Sequence, residues 1–65
     1  MANIADNVRK ARKKTGLSQD KLAREADVAY NTVVKIESGE NKNPTIETLR
    51  NIARALKISV DELIN

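Results

Sequence analysis

The sequence predicts an all-α fold, one compact domain of five short helices over residues 1–65. Three observations predict it. No stretch alternates apolar and polar residues as a half-buried strand does, and Tyr30 is the single aromatic residue. Apolar residues recur instead at helical spacing. The breaks between those stripes fall on residues that stop or start helices: Gly16 and Ser18, Gly39, Pro44 and Thr45, and Ser59. A chain of 65 residues holds one domain and buries a modest core.

Each element follows from period and punctuation. Helix 1 runs from Ile4 to Thr15, with Ile4, Val8 and Ala11 as its inner stripe and Gly16 as a left-handed stop. Helix 2 starts behind Ser18 as N-cap, with Leu17 and Leu22 spaced as a hydrophobic staple. A tight turn lies at Ala26–Asp27–Val28. Helix 3 covers Tyr30 to Ser38 and ends at Gly39. Glu40 to Pro44 form a polar loop. Helix 4 opens at Thr45 and buries Ile46, Leu49, Ile52, Ala53 and Leu56. Helix 5 opens at Ser59, where Ser59 and Glu62 fit a capping box and Ile58 and Leu63 a staple. The expected core is Ile4, Val8, Leu22, Ala23, Val33, Ile36, Leu49, Ile52, Ala53, Leu56 and Leu63, with Ala23 at the closest approach of helices 2 and 3.

Composition excludes several functions. Without cysteine there are no disulfides or thiolate metal sites; without histidine the commonest general base and metal ligand are missing. No nucleophile–base pair, metal cluster or phosphate loop is present, so enzymatic activity, a cofactor and a small-molecule ligand are not expected. There is no membrane-spanning run and no signal-peptide core, so the chain is expected to be soluble and cytoplasmic, associated with the nucleoid.

The net charge of +3 is unevenly spread. Residues 1–16 carry Arg9, Lys10, Arg12, Lys13 and Lys14 against Asp6 alone, whereas the rest of the chain is nearly balanced. Such a run is either a solvated helix face or a phosphate-facing edge.

Helices 2 and 3 share a sparse apolar set: Leu22, Ala23, Ala26, Val28, Val33 and Ile36. It suffices to pack the two helices on each other and on a third element, which is helix-turn-helix geometry. At 100° per residue, Val33 and Ile36 lie about 60° apart and mark the core side. Asn31, Val34, Lys35 and Ser38 cluster on the opposite side. In a major groove Asn31 pairs with adenine, Lys35 with guanine O6 and N7, and Val34 with a thymine methyl. Tyr30, at the flank, has two open roles: contact with a base edge or phosphate, or a half-buried ring bracing helix 3.

The chain resembles the lambda-repressor/Cro-type helix-turn-helix family, also called the Xre family, over essentially its whole length. The marks are LSQ-x-x-LA (Leu17, Ser18, Gln19, Leu22, Ala23), VVKIESG (Val33 to Gly39), NP-T-x-x-TL (Asn43, Pro44, Thr45, Thr48, Leu49) and SVDEL (Ser59 to Leu63). The resemblance implies a lambda-repressor-like domain whose helix 3 enters the major groove of double-stranded DNA, in a sequence-specific transcriptional regulator. It implies that Tyr30, Asn31, Val34 and Lys35 read bases. It also implies that Arg12, Ser18, Gln19, Ser38 and Lys42 meet the DNA backbone, with the first-turn N–H groups of helix 2 aimed at a phosphate. Arg12 has a second implied role, because in some relatives the matching arginine pairs with the glutamate at the position of Glu37; the angular count puts Glu37 near the core side.

Two positions depart from the family pattern. Asp27 stands where the turn usually has glycine, and aspartate tolerates the left-handed conformation better than most residues. Ala29 stands where a Ser or Thr cap is common, so helix 3 starts about 1 kcal/mol less favourably. Relatives bind palindromes as dimers, often through the helix 5 region. A pseudo-palindromic operator and a weak homodimer strengthened on DNA are therefore expected, with Leu63 and Ile64 as candidate contacts unless the staple to Ile58 consumes Leu63. No effector or dedicated oligomerisation domain is expected within these residues. The alternative function is an antitoxin or bridging module acting through protein–protein contacts.

Overall fold

Helix boundaries in the computed structural model, which describes residues 3–65, follow the caps. The helices are α1 (Ile4–Thr15), α2 (Gln19–Ala26), α3 (Tyr30–Ser38), α4 (Ile46–Leu56) and α5 (Val60–Ile64), with no strand among the described residues. Four helices begin on a side-chain cap. Asn3 accepts from the Asp6 N–H, Ser18 from Lys21, Thr45 from Thr48 and Ser59 from Glu62. Each of these bonds satisfies an amide that the helix itself leaves without an acceptor. Ala29 before α3 supplies no such bond, as the sequence predicts.

The C-terminal stops share one construction. After α1, α2 and α4 a single residue turns left-handed: Gly16 at φ 77°, Asp27 at φ 59° and Lys57 at φ 60°. The next residue then donates its N–H back across the last turn: Leu17 to the Arg12 carbonyl, Val28 to Ala23 and Ile58 to Ala53. This is the Schellman arrangement, and the returning residue is apolar in all three cases. Leu17, Val28 and Ile58 pack on the core, so each stop also directs the chain inward. Asp27 was legible as a left-handed residue. Lys57 was not, because lysine carries no sign of that conformation.

α2 packs against α3 and α4, and α1 packs against α3 and α5. Val8, Leu22, Ala23, Ala26, Val33, Ile36, Leu49, Ile52, Ala53, Leu56 and Leu63 are buried between them. Ten of the eleven expected core residues are in that set. Ile4 is the exception, packed only partly against the core at its edge. Ile46 is a second correction: it is 56% exposed rather than buried. It is the first residue of α4 and lies about 70° from the centre of the stripe formed by Leu49, Ile52, Ala53 and Leu56.

Candidate nucleic-acid interface

A buried carboxylate organises the surface around α3. Glu37 is on the core side of that helix and only 3% exposed. Its Oε2 accepts from Arg12 Nε at 2.6 Å, and its Oε1 accepts from Arg12 Nη2 at 3.1 Å and Gln19 Nε2 at 3.0 Å. Arg12 Nη1 also donates to the Leu17 carbonyl at 2.9 Å, in the turn that leads into α2. One residue of α3 is thereby tied to α1, to the α1–α2 turn and to the first residue of α2. The fork geometry of arginine suits this task, since two parallel N–H groups meet two carboxylate oxygens. No buried side-chain polar atom lacks a partner among the described residues.

Of the two roles open to Arg12, the geometry holds the pairing with Glu37. The Arg12 side chain is 14% exposed and donates three bonds inside the protein. Gln19 is half-buried, with one of its two amide N–H donors committed to Glu37. A second arginine fastens the same end of α3. Arg9 donates to the Glu37 carbonyl and pairs with Asp6, and a cation there also opposes the negative end of the helix dipole. Sequence reasoning passed over Arg9. It lies about 60° from Arg12 around α1, so the angular count used for α3 was enough to find it.

The basic run of α1 therefore does not form one edge. Arg9 and Arg12 turn toward α3, Lys13 is exposed, and Lys10 and Lys14 border a groove floored by Ala11 and Ile58 and flanked by Glu62 of α5. Asn7 also faces α5, donating to the Leu63 carbonyl at 2.7 Å.

The outward face of α3 presents Tyr30, Asn31, Lys35 and Ser38 to solvent, while Val34 is half-buried. Tyr30 is 50% exposed. The Ser38 hydroxyl donates to the Lys35 carbonyl at 3.1 Å and accepts the Glu40 N–H at 3.3 Å. Lys42 is exposed on the loop that follows. That loop is shaped by Asn41, whose N–H reaches the Lys35 carbonyl at 3.0 Å and whose Oδ1 accepts from Asn43 N. At the start of α2, Ser18 satisfies the amides of Lys21 and Leu22, leaving those of Gln19 and Asp20 without an intrahelical acceptor. Asp20 stands in that first turn, with its carboxylate paired to Arg24 at 2.7 Å.

On α5, Leu63 is fully buried and is removed from the candidate contacts with a second copy. Ile64 is 46% exposed and borders a cleft shared with Ile4, Ile36 and Lys42. Among the described residues no helix is long and apolar enough to cross a membrane.

A packed helix pair joined by a tight turn and tied by a buried ionic node, with the second helix polar on its free side, is helix-turn-helix architecture. The helix-turn-helix family matches residues 8–63. The chain belongs to that family, in its lambda-repressor/Cro (Xre) branch. It is 47% identical over 60 residues to the cryptic phage CTXphi transcriptional repressor RstR of Vibrio cholerae, covering 92% of this chain and 53% of RstR. Its fold matches the master regulator for biofilm formation SinR in complex with DNA. The TM-score is 0.89 at 33% identity, covering 92% of this chain and 95% of that one. It also matches the restriction-modification controller protein C.AhdI from Aeromonas hydrophila, with TM-score 0.88 at 30% identity, covering 94% and 91%. The chain spans between 30% and 56% of the length of the curated relatives it matches.

Proposed function

We propose that this chain is a sequence-specific double-stranded DNA-binding module of a transcriptional regulator, with α3 in the major groove. The observation that carries this reading is the Glu37 node, which fixes α3 against two other helices while its opposite face stays free. A reading helix needs that rigidity, because a small tilt moves every side chain relative to the base edges. Asn31, Val34 and Lys35 contact bases, with Tyr30 at the helix start able to reach a base edge or a phosphate. Ser18, Gln19 and Lys42 meet the backbone, together with the open amides at the start of α2, and Ser38 joins them when its hydroxyl turns from the Lys35 carbonyl to a phosphate. Arg12 acts behind this surface, holding Glu37. The relatives support this reading: SinR was solved in complex with DNA and RstR is named a transcriptional repressor.

One short helix reads only a few base pairs. Two copies on a pseudo-palindrome, with half-site centres about 34 Å apart, supply the missing specificity. Ile64 offers only a small apolar contact, so the homodimer is weak in solution and strengthened on DNA. Selection of bound duplexes from a random-sequence pool tests the proposal. Enrichment of a two-fold-related pair of half-sites supports it, and recovery of an unenriched pool contradicts it.

A further inference from the structure

We propose that Arg9 is a positioning residue for base reading: it registers the backbone of the last turn of α3, and so sets how sharply Lys35 discriminates its base pair. This role rests on the DNA-reading function above. α3 ends differently from its neighbours. α1, α2 and α4 close with the residue after the left-handed one donating its N–H back across the last turn. After α3, Gly39 at φ 86° donates to the Ile36 carbonyl, and the Glu40 N–H goes to the Ser38 hydroxyl instead of a helix carbonyl. The Asn41 N–H and the Ser38 hydroxyl take the Lys35 carbonyl. The Glu37 carbonyl is one of the four that a helix end leaves without an internal donor, and it is met from another helix, by Arg9 Nη1.

Arg9 is itself held. Its Nη2 pairs with the Asp6 carboxylate one turn back on α1, and the Asp6 N–H is bonded to the Asn3 cap at 2.9 Å. The planar guanidinium thus spans an acceptor on its own helix and one on α3, which sets its direction. The Arg12–Glu37 node also ties this turn, but its hold reaches the backbone only through the three rotatable bonds of the Glu37 side chain. A bond to the carbonyl carries no such slack.

The peptide so held joins Glu37 to Ser38, in the turn that carries Lys35. Asn31 lies six residues before Glu37, about 9 Å away along the helix axis, and depends less on that anchor. Hydrogen bonds to base edges weaken steeply with small displacements of the donor, whereas attraction to phosphates falls off slowly with distance. Loss of Arg9 therefore blurs reading at the base pair of Lys35 and spares that of Asn31. It also spares binding to non-cognate DNA, which rests on phosphates. Arg9 is paired with Asp6, so its own charge is locally neutralised.

The test is Arg9→Met in the full 65-residue chain, compared with Lys10→Met, which makes the same charge change on α1. Kd is measured across a salt series for the selected operator, its single-base variants and a scrambled duplex, below the melting range of every protein. Lys35→Ala and Asn31→Ala mark the base pairs that those residues read. For Arg9→Met, discrimination is expected to fall roughly three- to tenfold at the Lys35 base pair and less than about twofold at the Asn31 base pair. The salt slope on scrambled DNA stays unchanged. Asp6→Ala acts in the same direction and adds nothing in an Arg9→Met background, and Arg9→Lys, which keeps a donor, recovers part of the loss. Lys10→Met leaves discrimination unchanged. Equal loss on all duplexes with a slope shallower by about one unit means that Arg9 meets a phosphate, and overturns the positioning role. Full discrimination retained by Arg9→Met, or equal loss at both base pairs, overturns it too, and each of these results leaves the DNA-reading function standing. A wild-type protein that binds operator and scrambled duplex alike overturns that function, and the role of Arg9 with it.

Discussion

Arg12 on α1 and Glu37 on α3, 25 residues apart in sequence, meet through two hydrogen bonds of 2.6 and 3.1 Å. The carboxylate side is 2% exposed and the guanidinium side 14%, so neither charge is well hydrated in the fold. The pair fixes how the last turn of α3 sits on α1. Its energetic worth lies chiefly in what its disruption leaves behind.

Removal of one partner strands the other as a buried charge, at a cost of about 3–5 kcal/mol. Arg12→Met and Glu37→Leu should each lower stability by that order. The double variant should be more stable than either single one, because it leaves no buried charge without its partner. Urea unfolding of the four proteins checks this through a double-mutant cycle. Additive losses with no coupling contradict the buried pair.

Lys57 is a lysine in a left-handed conformation at φ 60°, closing α4. That conformation costs an L-residue about 1–2 kcal/mol, partly offset when glycine replaces it by the greater freedom glycine has in the unfolded chain. Lys57→Gly should therefore stabilise the domain by about 0.5–1 kcal/mol, a few degrees in Tm. A thermal melt shows the sign directly, and a lower Tm refutes the strain assigned to Lys57.

Ala23 is 3% exposed in the core between α2 and its neighbours. A leucine there adds three carbons at a buried position and should cost about 1–3 kcal/mol through overpacking. If Ala23→Leu melts at the wild-type temperature, α2 is not packed as closely as described.

Much of the fold was legible because it is governed by local signals. Ser18, Thr45 and Ser59 cap the helices they were expected to cap, and Gly16 and Gly39 end theirs. The apolar periodicity located the core, failing at Ile4 and Ile46, where a helix end carries the pattern past the packed region. The long-range polar links were less accessible. The angle of Glu37 pointed inward, and family resemblance supplied Arg12 as its partner. Gln19 as a third member left no trace in spacing, because an amide is equally suited to solvent, phosphate or carboxylate. The division of the basic run between α3 and α5 depends on how α1 is rotated, and a list of charges does not contain that.

The roles proposed for Lys35 and Lys42 are two kinds of contact that substitution separates. Lys35→Ala and Asn31→Ala should each relax specificity at single base positions, at about 1–3 kcal/mol on the cognate sequence. Lys42→Ala should weaken binding to every sequence alike and reduce the salt slope by about one unit. A panel of operator variants titrated against the three proteins reads both effects. Identical profiles for Lys35→Ala and Lys42→Ala contradict the division between base reading and backbone positioning.

The central claim, that α3 reads DNA sequence, is tested most directly by competition at fixed salt. Labelled operator from the random-pool selection is held in complex while unlabelled operator or scrambled duplex is added. The expected result is displacement by operator at concentrations at least about a thousandfold lower than by scrambled DNA. Equal displacement by both would mean that the protein binds through charge alone, and would contradict the claim.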